Sequence, residues 1–253
     1  MVEEHREPRD RRVIIYILPN LVTTASLCCG FIAILSAIQG KYINGAMLIF
    51  LSMIFDGLDG RVARWTKTES EFGVQYDSLA DLVAFGVAPA LLVHQWSLTF
   101  ANVVPVVPSR LGAMAAFIYV ACTALRLARF NVQVGEGDKR YFSGLPSPSA
   151  AAIMAGFVWV AQYYGWSGKS GGLLVLSLLI TLLCASAMVC DLKYYSFKTF
   201  KLQDTIPFNK AVLPVLVIGL IVLKPSLTLF SIFACYGLHA PLLALWRRWR
   251  RRK

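Results

Sequence analysis

Eight apolar runs, each near the length of a bilayer crossing, dominate this chain. They lie at about 17–39, 43–64, 78–98, 109–131, 147–165, 171–190, 209–224 and 226–246, the last two parted by Lys224-Pro225. A hydrocarbon layer of about 30 Å takes roughly 20 residues of α-helix. Lipid offers the backbone no partners, so a chain crossing it repeatedly must satisfy its amides within each segment. The expected fold is therefore all-α: a polytopic membrane helix bundle of about eight transmembrane helices. Composition agrees, with 57% hydrophobic residues, 15% charged residues and a mean hydropathy of +0.60 over 253 residues. Three regions are expected: an N-terminal arm at 1–12, a membrane domain at 13–246 and a basic tail at 247–253. The first apolar run is long and no small-residue cleavage site closes it, which argues against a removable leader.

The net charge of +11 is arranged by topology. With eight crossings, 21 of the 25 Lys and Arg residues fall on the side that carries both termini. Lys41, Arg110, Lys169 and Lys224 fall on the other. Such asymmetry places the rich side in the cytoplasm. It accounts for the basic character through anchoring and contact with anionic lipid, so nucleic acid is not an expected partner. The expected location is the cytoplasmic (inner) membrane. Cys28, Cys29, Cys122, Cys184, Cys190 and Cys235 lie in or beside apolar runs without metal-type spacing, and read as small packing residues.

Against this apolar background the stretch Asp56 to Asp81 stands out. Asp56, Asp59, Gly60, Ala63 and Arg64 fall at offsets 0, 3, 4, 7 and 8, one face of a helix. Gly73, Asp77 and Asp81 fall at offsets 0, 4 and 8, again one stripe. Two helices can thus present a pair of carboxylates each. Carboxylates in a low-dielectric setting must be paired, protonated or bound to metal. Arg64 can offset one charge and Arg61 points off the stripe, so hard divalent cations with oxygen ligands are the simplest answer. Gly60, Ala63 and Gly73 leave room for phosphates to approach the backbone. Glu69 and Glu71 fall off the stripe and read as loop charges.

The pattern D-x2-D-G-x2-A-R-x8-G-x3-D-x3-D, matched at every position, resembles the signature of the CDP-alcohol phosphotransferases. The resemblance implies membrane enzymes that move a phosphatidyl-type group from a CDP-linked donor to an alcohol and release CMP. It implies two divalent cations, Mg²⁺ or Mn²⁺, held by Asp56, Asp59, Asp77 and Asp81, with Asp81 as general base. It also implies a homodimer. Pro19-Asn20-Leu-Val-Thr23 is similar to a family motif beside the donor's phosphates, although Asn20 and Thr23 read equally as helix-start caps. The resemblance also places the Ser70 hydroxyl near the nucleotide, where the residues alone give a turn or cap. Donor contacts are thus expected from Asn20, Thr23, Gly60, Ala63, Arg64 and Ser70.

Three further stretches narrow the resemblance to the branch that uses serine. Ala124-Leu-Arg126-Leu-Ala-Arg129-Phe-Asn131 is followed by Phe142-Ser-Gly144-Leu-Pro-Ser147-Pro, and later by Tyr194-Tyr-Ser-Phe-Lys198. Arg126 and Arg129 serve either as interfacial anchors or as a fork for an anion. Serine brings a carboxylate, so Arg126 or Arg129, with Ser147 as a hydrogen-bonding partner, is the expected acceptor site. The expected reaction joins CDP-diacylglycerol and L-serine in the membrane lipid, giving phosphatidylserine and CMP. Glycerol 3-phosphate, inositol or another amino alcohol is the alternative acceptor. A divalent-cation channel or transporter is the alternative of a different class, but the spans offer no further acid between the cluster and the outer face.

Overall fold

The computed structural model describes residues 9–66, 70–103, 110–132, 141–195 and 208–250. The first eight residues of the arm, Glu69, Lys139, Arg140, Lys198 and the tail from 251 lie outside them. In chain order the elements are α1 Arg9–Ile38, α2 Tyr42–Thr66, α3 Glu71–Asp81, a π-turn Leu82–Val87, α4 Ala88–Trp96 and a 3₁₀ turn Leu98–Val103. Then follow α5 Leu111–Val132, β1 Tyr141–Ser143, α6 Ser147–Tyr163, α7 Gly171–Val189, β2 Lys193–Tyr195, α8 Phe208–Leu223 and α9 Pro225–Arg250. The chain is a helical membrane protein, as the apolar runs require.

Among the described residues five stretches are long and apolar enough to cross a membrane: Pro19–Ile38, Glu71–Trp96, Leu111–Val132, Gly171–Val189 and Pro225–Ala244. Helices α2, α6 and α8 stand at the other three expected positions. Of these, α6 has 17 residues and α8 has 16. Helix α1 already begins at Arg9, so the end of the expected arm belongs to it. The third span begins at Glu71 rather than near 78, because Ser70 caps a polar first turn that hydropathy does not register.

Helix α6 is the hub. Ser147, Ser149, Ala150, Ala151, Ala152, Met154, Ala155, Phe157 and Val158 are all buried, as befits a helix surrounded by others. The core around it joins Ile49 of α2, Phe85 of the π-turn, Leu92 and Trp96 of α4, Tyr119 of α5 and Leu174 and Met188 of α7. Helix α7 turns Leu174, Ser177, Leu178 and Thr181 inward and exposes Val175, Leu176, Leu179 and Leu183. Val215, Leu216, Ile218 and Val222 of α8 are likewise exposed, a face suited to lipid.

Two features place the acidic helices. The π-turn begins directly after Asp81. Within it the Phe85 carbonyl lacks an α-helical donor, because the residue four positions on is Pro89, which has no N–H. The buried Tyr119 hydroxyl donates to that carbonyl at 3.0 Å. Helix α1 packs against the same turn so tightly that a Cβ on Gly30 would stand 2.7 Å from the Ala84 Cα. Small residues at such crossings let membrane helices approach closely.

The described residues also contain a short antiparallel ribbon that the all-α expectation omitted. Tyr141 pairs with Tyr195, Phe142 with Tyr194 and Ser143 with Lys193. Gly144 continues the contact, its N–H donating to Leu192 O at 2.9 Å. Its φ of +81° and the carbonyl of Met188, 2.3 Å from any added Cβ, both demand glycine. The buried Tyr194 then donates from its hydroxyl to Gly237 O at 3.1 Å, tying the ribbon to α9. The ribbon joins the two connections that carry the F-x-G-L-P-S-P and Y-x-S-F-K stretches.

Candidate active site

The last turns of α2 and the whole of α3 meet α1 at one end of the bundle. One carboxylate oxygen from each of Asp56, Asp59 and Asp77 lies within 4.8 Å of the others. Asp59 is buried, with Oδ2 accepting from Thr23 Oγ1 at 2.8 Å and Oδ1 accepting from the Gly60 N–H. Asp59 and Asp77 lie side by side, and Asp81, one turn further along α3, lies beside Asp56. Four carboxylates in contact repel unless protons or cations lie between them.

The donor set fits divalent cations. All the ligands are hard oxygens, and metal–oxygen bonds of about 2.1–2.5 Å leave ligand oxygens at most about 4–5 Å apart. The Asp77 Oδ1 is buried without a hydrogen-bond partner, a cost that a cation would remove. Arg64 does not take this place: it is exposed, and its Nε donates to its own helix at Gly60 O, 2.8 Å away.

A cavity of about 190 Å³ opens beside the carboxylates. Its walls are Asn20 and Thr23 of α1, Asp59, Gly60 and Ala63 of α2, and Ser70, Gly73 and Asp77 on the α3 side. Five of the six expected donor contacts therefore line one space, and Arg64 stands outside it. Asn20 and Thr23 lie well inside α1, so the reading of them as helix-start caps is set aside. Thr23 instead donates to Asp59 and to Pro19 O at 3.2 Å. Ser70 is a true cap, its Oγ accepting the Gly73 N–H at 3.0 Å, and it also lines the cavity. A Cβ on Gly73 would press on Ser70 Oγ at 3.1 Å, whereas Gly60 faces open space. The N-terminus of α3 thus opens onto the cavity, with its unpaired amides and positive dipole end suited to phosphate.

The two arginines of α5 separate. Arg129 pairs with Asp191, and both are substantially exposed. Arg126 is largely buried, donates from Nη1 to Ser147 Oγ at 2.8 Å and keeps a buried Nε without a partner. It stands within electrostatic reach of Asp81. Sequence reasoning did not find Ser78 or the partner of Asn131. The Asn131 Nδ2 donates to Ser78 Oγ at 2.9 Å, directly beside Asp77. Nor did it find Tyr76, whose hydroxyl bonds Thr24 Oγ1 at 2.9 Å. Neither pair has a fixed sequence spacing that could have announced it.

A sequence model of CDP-alcohol phosphatidyltransferase matches residues 16–237, and the chain belongs to that family. Its relatives point to one branch. The chain is 33% identical to the CDP-diacylglycerol–serine O-phosphatidyltransferase of Helicobacter pylori over 88% of its own length and 90% of the relative. It is also 33% identical to the protein of that name from Mycobacterium tuberculosis, over 96% of this chain and 84% of the relative. An archaetidylserine synthase of Methanothermobacter thermautotrophicus is 35% identical over 61% of this chain and 63% of the relative.

Proposed function

We propose that this protein transfers the phosphatidyl group of CDP-diacylglycerol to the hydroxyl of L-serine, giving phosphatidylserine and CMP. The observation that carries the reading is the convergence of three aspartate oxygens beside a cavity walled by Asn20, Thr23, Gly60, Ser70 and Gly73. Two divalent cations, Mg²⁺ or Mn²⁺, held by Asp56, Asp59, Asp77 and Asp81 would neutralise the donor's pyrophosphate and ease the departure of CMP. Thr23 and the Gly60 amide fix the orientation of Asp59. Asn20, Ser70 and the α3 N-terminus receive phosphate and nucleotide, and Gly60, Ala63 and Gly73 keep the space open. Arg64 screens the donor's charge from the rim.

Arg126 takes the serine carboxylate, oriented by Ser147, while Arg129 remains tied to Asp191. A serine hydroxyl is a weak nucleophile, and Asp81 removes its proton as the oxygen attacks the lipid-side phosphorus. The bond to CMP breaks, the phosphatidyl bond to serine forms, and the proton stays on Asp81 until water takes it.

The positive-inside asymmetry supports eight crossings, with both termini and the acidic site at the cytoplasmic face of the inner membrane. There CMP and serine exchange with water while the acyl chains remain in lipid. The resemblance supports a homodimer. The test is CMP release by purified protein with CDP-diacylglycerol, Mn²⁺ or Mg²⁺, and serine, glycerol 3-phosphate or inositol in turn. Release with serine alone is expected; release with another acceptor and not with serine would overturn the assignment.

A further inference from the structure

Helix α3 carries two of the four aspartates, yet packing holds it weakly. Ala80 is its one buried residue, while Phe72, Val74 and Leu79 are exposed. Apolar burial therefore does little to fix the rotation of α3 about its axis. Two side-chain bonds flank Asp77 instead. On one side the Tyr76 hydroxyl meets Thr24 of α1 at 2.9 Å. On the other, Asn131 at the end of α5 meets Ser78: Nδ2 lies 2.9 Å from Ser78 Oγ, and Oδ1 lies 3.3 Å from it. The Ser78 hydroxyl has one hydrogen, and Val74 O lies 3.0 Å away to accept it. The consistent arrangement is Asn131 N–H to Ser78 Oγ, and Ser78 O–H to its own helix.

We infer that Asn131 is a positioning residue for the metal site. Through Ser78 it sets the rotation of α3, and so the approach of Asp77 to Asp56 and Asp59. Arg126 and Arg129 lie on the turns of α5 just before it and bond Ser147 and Asp191. The α5 terminus thus locks α3, α6 and the turn before β2 together. Donor-side carboxylates and the acceptor-side arginine then take their places from one element. The inference rests on the metal-holding role assigned above to the four aspartates, and it does not depend on which alcohol is the acceptor.

The test is Mn²⁺ binding to the purified full-length protein in detergent, followed by electron paramagnetic resonance, for wild type, Asn131→Ala, Ser78→Ala and the double variant. Loss of a partner that orients a ligand typically weakens metal binding on the order of tenfold, the effect expected in each single variant. The double variant should bind no more weakly than the weaker single, because both changes remove one link. Metal-free thermal unfolding should stay at the wild-type temperature, and the KM for serine at saturating Mn²⁺ should not move. Unchanged Mn²⁺ binding in both singles, additive losses in the double, or a parallel fall in metal-free unfolding temperature would overturn the inference. So would a wild type that binds no Mn²⁺. A wild type that binds Mn²⁺ through this link yet forms no lipid product would keep the inference and overturn the transfer reaction.

Discussion

At the scale of single residues the site divides by partner. Asp59 is held by two donors, Asp77 leaves an oxygen unpaired, and Asp81 faces Asp56 from the next turn of α3. Asp81→Asn keeps the shape but cannot accept a proton. Turnover should fall by about 10²–10⁴-fold, the usual worth of a general base. Circular dichroism and size-exclusion behaviour should stay those of wild type, and near-normal turnover would remove Asp81 from the role. For the acceptor, Arg126→Ala should raise the KM for serine on the order of tenfold or more, as expected when a charged hydrogen bond is lost. The KM for CDP-diacylglycerol should move far less. Arg129→Ala, which breaks an exposed pair with Asp191, should change both only slightly. Equal effects of Arg126→Ala on both substrates would mark it as a phosphate contact.

At the scale of elements, the helices that carry the chemistry were legible because their polar residues repeat every three to four positions in an apolar sequence. That periodicity put Asp56 with Asp59 and Asp77 with Asp81. What it could not give was the depth or rotation of each helix. The π-turn after Asp81 lies where Pro89 denies Phe85 an α-helical donor and a tyrosine on another helix supplies one, a relation without local signature. The ribbon pairs three-residue segments too short for an alternation to be read. Arg126 and Arg129 look alike in sequence, and only the positions of Ser147 and Asp191 separate them. The π-turn gives its own prediction. Tyr119→Phe should leave the Phe85 carbonyl buried without a donor, at a cost of about 1–3 kcal/mol. A lower thermal unfolding temperature in detergent would register it. An unchanged temperature would mean that another donor serves Phe85.

At the scale of the whole molecule, a buried helix of small residues, α6, lets the others close around it, and the polar residues of the candidate site gather at one end of the bundle. The acidic cluster, the cavity and Arg126 lie together there. That is the arrangement needed by an enzyme whose donor stays in lipid while acceptor and leaving group are soluble. An ion path would need charged ligands continuing across the bilayer, and among the described residues the only acid after Asp81 is Asp191, paired with Arg129 at the end of α5. The central claim is that the lipid-side phosphorus passes to serine at the four aspartates. The most direct measurement uses CDP-diacylglycerol radiolabelled at that phosphorus, incubated with serine and Mn²⁺ and purified wild type or Asp77→Asn. The account predicts label in phosphatidylserine and unlabelled CMP with the wild type, and neither product with the variant. Label released in a water-soluble product, or equal transfer by Asp77→Asn, would contradict it.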